Sequence, residues 1–328
     1  MRRALALGVA ALLLTAAAAE AAPTRRASRA GLRNSRIDAV LPPEESRAPP
    51  PLPGQPAPVR LGFTLDLLVP LFLNSNPATL AGRPDADFEA HPGLRLGWTG
   101  RARAPVPLRL DALVDTSTDR FRRTVQADAD TLLGRLRLQY ESGRNDQELQ
   151  PFVSFQSVRD FRPGFAGRLE TRHDLAAGAS IRWNFGRDGR RVRAGGESAK
   201  GESEGETVWS ISMNALAQRR FAAPFPGSWA VVVNPGLAWT PTPRLSVSAE
   251  VEITRRHFDR QGGAARRDWL ALPVLTLDYV LPDGTLPAGF GSPAVSLQLF
   301  LARQSANQPG ASFTQYGAGP ILRTSWRF

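Results

Sequence analysis

The 328-residue chain contains no cysteine, a single lysine, and few methionines and histidines (two and three). Without cysteine, the chain cannot form disulfides, thiolate metal sites or a lipidated cysteine anchor. The sequence also carries no metal-ligand cluster, phosphate-binding loop or nucleotide fingerprint. We therefore expect neither a metal nor a cofactor.

Long apolar runs are also missing after the first 21 residues, and a transmembrane helix needs about 20 of them. The first residues instead show a short basic start, Arg2 and Arg3, an apolar stretch from Ala4 to Ala19, and an A-x-A site ending at Ala21. This order is typical of a secretory signal peptide. We predict that residues 1–21 are a signal peptide and that the protein is exported.

The positive charge, formally +11, comes almost entirely from arginine. Because the predicted export signal removes the chain from the cytoplasm, the basic composition does not indicate a nucleic-acid partner. Residues 22–58 are rich in proline and arginine and poor in apolar side chains. A segment of this composition cannot bury a core, so we expect a disordered or polyproline tether.

From residue 59 to residue 328 the sequence alternates between apolar and polar side chains. In the stretch 245–254, for example, Leu245, Val247 and Ala249 alternate with serine and glutamate. Period-two alternation indicates β-strands, and no segment keeps a helical period. The sequence predicts an all-β fold with twelve antiparallel strands, at about 60–69, 93–101, 106–116, 131–141, 149–161, 172–185, 208–221, 229–240, 245–258, 268–281, 294–305 and 313–328.

Three features favour a transmembrane barrel over a soluble β-sandwich. The runs are mostly longer than the five or six residues, roughly, of ordinary strands and suit tilted strands that cross a bilayer. The polar faces carry many charges, which a water-filled lumen accepts. All seven tryptophans lie on apolar faces near strand ends, as in a membrane-interface girdle: Trp98, Trp183, Trp209, Trp229, Trp239, Trp269 and Trp326.

The last ten residues, GPILRTSWRF, place Leu322, Trp326 and the terminal Phe328 on one face. This ending resembles the C-terminal signal by which Gram-negative outer-membrane barrels are recognised for insertion. Pro320 departs from the usual pattern and should weaken one ladder position. The resemblance implies an outer-membrane location, with outer-membrane lipid and the barrel-assembly machinery as partners.

With an even number of strands, the first and the last strand have their outer termini on the same side of the membrane, which we take to be the periplasmic side. Residues 186–206 would then be periplasmic and residues 259–267 extracellular. A long periplasmic loop is unusual in such barrels. A missed strand near 120–128 would change the count or the polarity.

The predicted inner face carries both signs of charge, which suits a narrow channel or transporter for small polar or anionic solutes. An alternative is that the charges neutralise one another and plug or stiffen the barrel. The main candidates are Arg109, Asp111, Arg135, Arg137, Glu141, Asp174, Arg182, Glu250, Glu252 and Asp278, and further arginines and acids on this face are Arg60, Arg95, Arg220, Arg256, Arg323, Arg327, Asp66 and Asp115.

Two other functions stay open at this point. Twelve-stranded outer-membrane phospholipases use a histidine with a serine two residues on, but the three histidines here, His91, His173 and His257, lack that serine. We therefore expect no enzyme activity. The barrel could also serve polysaccharide or surface-protein export, since the strand pair 237–250 loosely resembles barrels of such systems. The motif NPATL at 76–80 is similar to one in fatty-acid transporter barrels, where it lies in an N-terminal plug.

Overall fold

The structure is a computed structural model that describes residues 62–75, 86–103, 107–123, 125, 128–140, 149–186, 208–259, 265–282, 285, 293–308 and 310–327. The predicted signal peptide and tether lie outside these residues. Within them, the chain forms no helix with the length and apolar character needed to cross a membrane.

The described residues form thirteen strands and one 3-10 turn, Pro163–Phe165. The strands are β1 (Gly62–Asn74), β2 (Asp87–Ala90), β3 (Gly93–Arg103), β4 (Pro107–Phe121), β5 (Ala129–Tyr140), β6 (Gln150–Phe161), β7 (Arg168–Phe185), β8 (Trp209–Ala223), β9 (Ser228–Thr242), β10 (Leu245–Phe258), β11 (Arg267–Val280), β12 (Ala294–Ala306) and β13 (Phe313–Arg327).

These strands close into an antiparallel barrel of twelve strand positions. From β4 to β13 each strand pairs with the next along the chain, and β13 pairs back with β1 from Thr64↔Arg327 to Asn74↔Gly317. Strands β2 and β3 both lie between β1 and β4, and they continue one another. Closure removes the free sheet edges, which is what a strand-built membrane protein requires. The predicted all-β, twelve-strand barrel is confirmed.

The break between β2 and β3 occurs at His91 and Pro92. Proline has no backbone N–H to donate to the ladder, yet its carbonyl oxygen still accepts a bond of 3.0 Å from the N–H of Thr118. The N–H of His91 donates to the carbonyl of Pro70 at 2.9 Å. The interruption therefore leaves the barrel wall continuous.

Several strands run further than the alternation predicted. Strand β1 continues to Asn74, and β4 continues to Phe121 before β5 begins at Ala129. Residues 120 and 121 therefore end an existing strand. The alternative of an extra strand near 120–128 is wrong, because this region joins two paired strands.

The barrel has two ends, which we name by the strand termini they hold. The lower end contains Gly62 and Arg327, and the upper end contains Asn74 and Phe313. Residues 187–207 and 260–264 lie outside the described residues. The strand termini beside the first segment, Phe185 and Trp209, belong to the lower end, and those beside the second belong to the upper end.

The seam between β1 and β13 contains one close approach. The ladder skips two β1 positions between Pro70↔Ile321 and Leu73↔Ala318. At this point a Cβ atom on Gly319 would lie 1.7 Å from the carbonyl oxygen of Leu71. A side chain at 319 would therefore push the two backbones apart, which explains the glycine beside Pro320.

Candidate functional site

Strand alternation divides the barrel wall into an outward apolar face and an inward polar face. Outward positions hold large exposed apolar residues such as Leu96, Leu275 and Leu299. The register places most of the predicted lumen charges inward: Asp66, Arg95, Arg109, Asp111, Asp115, Arg135, Arg137, Asp174, Arg182, Arg220, Glu250, Glu252, Arg256, Asp278 and Arg323. Arg60 and Glu141 lie outside the described residues, as does the side chain of Arg327.

The lower half of the lumen is a partly exposed chamber, which we call the vestibule. Its charged walls include Asp66, Arg109, Asp111, Arg137 and Arg182, all partly exposed. Small polar residues complete it on β8, β10 and β12, among them Ser212, Ser248 and Ser296. Most of these side chains are partly exposed, and Ser296 is buried.

The vestibule separates its charges across the barrel. Arg135 and Arg137 project inward from β5. Glu250 and Glu252 on β10 and Asp278 on β11 project inward from the other side. In the strand order, β11 lies six positions from β5 and is therefore directly opposite it. The arginines of β5 and the acids of β10 and β11 therefore stand on opposite walls of the barrel.

Two close ion pairs reinforce the charged wall. Arg95 on β3 reaches the Asp115 carboxylate on β4 through Nε and Nη2, both at 2.8 Å. Lower down, Arg109 Nε and the Thr99 hydroxyl both donate to Asp111 Oδ1, at 2.9 and 2.8 Å. These pairs neutralise part of the positive wall, in agreement with the alternative that the charges stiffen the barrel.

Above the vestibule, the inward side chains form what we call the packed layer. Each of the twelve strand positions contributes a buried side chain to it, and Phe72 and Arg172 are only 2% and 1% exposed. A wide water-filled passage would expose the residues that line it, so this layer closes the lumen. Its members are Phe72, Glu89, Asp119, Thr131, Val158, Arg172, Asp174, Arg220, Ala230, Thr254, Leu272, Phe300, Ala302 and Gln315.

One side of the packed layer is a hydrogen-bonded chain around His91. Gln315 Nε2 donates to Asn74 Oδ1 at 3.0 Å, and the amide of Asn74 donates to Glu89. His91 then lies between two carboxylates, with Nε2 against Glu89 and Nδ1 2.5 Å from Asp119 Oδ1. This chain ties β13, β1, β2 and β4 together across the barrel seam.

The opposite side of the packed layer rests on buried ion pairs. Arg220 on β8 donates from Nε and Nη2 to the two oxygens of Asp174 on β7, at 2.7 and 2.8 Å. Next to them, Arg172 Nη1 lies 3.8 Å from Asp160, which also accepts a bond from the Thr131 hydroxyl at 2.8 Å. These groups fix the wall of β5 to β8 from inside.

Apart from Thr254, the rest of the packed layer is apolar, which is unusual for a barrel lumen. Phe72 and Phe300 meet edge to face with ring centroids 5.8 Å apart. They belong to one buried cluster on β1, β11, β12 and β13, comprising Phe72, Leu270, Leu272, Val274, Phe300, Ala302 and Phe313, with Ile321 packed against it. Gly317 leaves room for the Phe300 ring, which a Cβ atom there would approach to 2.4 Å.

The seven tryptophans all lie on the outward face. Six are within three residues of a strand end, and Trp98 lies in the middle of β3, opposite Phe63 near the lower end of β1. Trp229 and Trp269 are at the upper end. The other five are at the lower end, where Trp209 and Trp239 stack with ring centroids 5.5 Å apart. Of the predicted insertion residues, Leu322 and Trp326 face outward on β13, and Phe328 lies outside the described residues.

The alternation pattern missed most of the packed layer. Phe72 and Glu89 fall outside the predicted strands. The sequence does not single out His91, because it lacks the serine, two residues further on, of the phospholipase motif. Phe300 offered a usable signal, because it is an aromatic residue at an inward position between the outward Leu299 and Leu301. A large apolar residue on the polar face indicates packing inside the lumen.

No protein-family model matches the sequence, and no curated protein matches it. Among solved structures, the COG4313 outer membrane channel from Pseudomonas putida F1 is similar, with 11% identity, 83% of this chain and 97% of that chain covered, and a TM-score of 0.47. The translocator domain of the autotransporter NalP from Neisseria meningitidis has 10% identity, 91% and 96% coverage and a TM-score of 0.42. LpxR from Salmonella typhimurium has 9% identity, 80% and 99% coverage and a TM-score of 0.38. Identities and scores this low carry no argument about function.

Proposed function

We propose that the protein is an integral outer-membrane channel for small polar or anionic solutes. Solutes would occupy the vestibule, and the packed layer would act as the gate. The observation that carries the proposal is the contrast between the two halves of the lumen. Most inward side chains of the vestibule are partly exposed, with buried exceptions such as Gln139 and Ser296, whereas the layer above them has a buried side chain at every strand position.

The charge arrangement of the vestibule supports polar or anionic solutes. Arg135, Arg137 and Arg182 stand on one wall, and the acids of β10 and β11 stand on the other. A solute with a carboxylate or phosphate would align toward the arginines, whose planar guanidinium groups bind such anions in pairs of hydrogen bonds. The Arg137 guanidinium packs 3.9 Å from the centre of the Phe152 ring, which holds its orientation.

The histidine in the hydrogen-bonded chain at one side of the packed layer is poorly placed to serve a hydrolase. A catalytic histidine needs one ring nitrogen free to take a proton from a nucleophile. In His91 both ring nitrogens lie against carboxylates, Nε2 against Glu89 and Nδ1 against Asp119. This arrangement supports a structural role for His91.

Single-channel recording in planar bilayers tests the gate. The double variant Phe72→Ala/Phe300→Ala removes two rings from the packed layer, and the surrounding side chains refill such a space only partly. We expect the mean conductance to rise at least about twofold, because the lost rings leave a gap in the closed layer. The matched control is Leu73→Ala/Leu299→Ala, which removes outward side chains from the same two strands and should leave conductance unchanged.

Selectivity tests the vestibule in the same recordings. Replacing Arg137 and Arg182 with serine should shift the reversal potential toward cations, because charges inside the lumen are screened less than surface charges. Conductance that is absent from both the wild type and the Phe72→Ala/Phe300→Ala variant, in correctly folded barrels, would contradict the channel. A reversal potential that does not change when both arginines are replaced would contradict the proposal that the solutes are polar or anionic.

A further inference from the structure

The outward face of the barrel carries charge at one end alone. Among the described strand residues, every outward-facing arginine lies within four residues of the upper end of its strand. The lower halves of these strands show apolar and aromatic residues at the corresponding positions. The outward arginines are Arg120, Arg159, Arg219, Arg255, Arg267 and Arg303.

Four of these arginines form a continuous surface on β8 to β12, which we call the arginine arc: Arg219, Arg255, Arg267 and Arg303. Two tryptophans interleave with them. The Arg219 guanidinium carbon lies 5.3 Å from the centre of the Trp229 ring, and that of Arg255 lies 5.3 Å from the centre of the Trp269 ring. Tryptophans on the outward face mark the level where lipid tails meet headgroups, so the arc lies at headgroup height.

Within the described residues, one of the four arginines of the arc is paired with a carboxylate. Arg219 donates to both oxygens of Asp259 at 2.7 Å. Arg255, Arg267 and Arg303 are exposed, and they contact no carboxylate within the described part of the chain. A cationic surface at headgroup height, with three arginines that contact no carboxylate among the described residues, is complementary to an anionic headgroup.

We propose that the arginine arc binds the phosphate groups of a phosphorylated glycolipid in the outer leaflet of the outer membrane. Arginine binds phosphate through two parallel hydrogen bonds, and the aromatic rings beside it pack against the sugar and the first part of the acyl chains. Arg255 and Arg303 stand two strands apart, about 10 Å, so separate phosphates of one headgroup can reach them. The proposal rests on the outer-membrane location proposed above and not on conductance.

Lipid binding by the purified, delipidated barrel tests this assignment. The variant Arg255→Gln/Arg267→Gln/Arg303→Gln removes three charges from the arc. We expect its affinity for diphosphorylated lipopolysaccharide, measured by native mass spectrometry, to fall at least about tenfold relative to the wild type. Dephosphorylated lipopolysaccharide should bind the wild type as weakly as diphosphorylated lipopolysaccharide binds the arc variant. The matched control, Arg122→Gln/Arg162→Gln/Arg168→Gln, removes three exposed arginines elsewhere at the upper end, two in turns and one at the start of β7. It should bind within about twofold of the wild type.

Three results would overturn the proposal: wild-type affinity in the arc variant, equal binding of the dephosphorylated glycolipid, or an equal loss in the control variant. Inorganic phosphate that displaces the glycolipid at equal phosphate concentration would assign the arc to free phosphate and overturn it as well. Heat-dependent gel mobility establishes that each variant is folded. Because the arc faces outward, its variants should keep wild-type conductance, so failure of the channel and failure of the lipid site can be told apart.

Discussion

Arg219 and Arg220 are consecutive on β8, and they form ion pairs with two aspartates on opposite faces of the barrel wall. Arg220 points into the lumen and binds both oxygens of Asp174, and both side chains are only 4% exposed. Arg219 points outward and binds both oxygens of Asp259, with side chains 21% and 40% exposed. One dipeptide therefore supplies an internal comparison between a buried and an exposed ion pair.

The buried pair should matter far more for stability than the exposed one. Asp174→Asn leaves the Arg220 charge buried without its carboxylate, which costs about 3–5 kcal/mol. Asp259→Asn, the matched control, should cost at most about 1 kcal/mol, because solvent screens exposed pairs. Reversible urea unfolding of the barrel in detergent, followed by tryptophan fluorescence, measures both free energies. Equal losses in the two variants would show that Arg220 is not held by Asp174 alone.

Most of the barrel could be predicted from the sequence because its cause is local. Membrane-crossing strands must place apolar residues against lipid at every second position. This alternation can be read directly from the sequence of each strand, as in 245–254. The boundary errors have local causes as well. Pro92 interrupts the alternation between β2 and β3, and the four residues of β2 are too few to show a period of two.

The packed layer could not be predicted, because it depends on which inward residues share a height in the barrel. Asn74 meets Gln315, 241 residues further along the chain. His91 meets Asp119 across two adjacent strands. These contacts depend on the register at the closing seam, which alternation does not specify. Alternation indicates that a residue faces the lumen, and only the register indicates what it contacts there.

The orientation of the barrel in the membrane determines which leaflet the arginine arc contacts. Because the chain has no cysteine, single cysteines can report each end. Ala166→Cys lies in the exposed upper turn after β6, and Pro243→Cys lies in the exposed lower turn between β9 and β10. We expect an impermeant maleimide to label Ala166→Cys on intact cells and Pro243→Cys only after the outer membrane is permeabilised. The reverse pattern would place the arc on the periplasmic leaflet.

The exposed pair also predicts how the upper end responds to acid. The hydrogen bonds from Arg219 lower the pKa of Asp259 below its ordinary value of 3.8. A lowered pKa in the folded protein means that the pair contributes its full stability above pH 3.8, and that this contribution is lost as the pH falls through the lowered value. Asp259 also donates its backbone N–H to Gly227 at 2.8 Å. The ion pair joins β8 to the segment after β10, and the backbone bond joins the turn before β9 to the same segment.

We accordingly expect the turn at 224–227 and the segment at 258–259 to exchange amide hydrogens equally slowly from pH 8 to pH 5. Exchange should become faster, after correction for the intrinsic rate, when the pH is brought below 3.8. Asp259→Asn should show the faster exchange already at pH 7, because asparagine carries no charge to hold Arg219. Hydrogen exchange with mass spectrometry measures both, and the turn at 307–312, on the same end but outside this pair, is the internal reference. Wild-type exchange in Asp259→Asn at pH 7 would show that the backbone bond to Gly227, and not the ion pair, holds the two segments together.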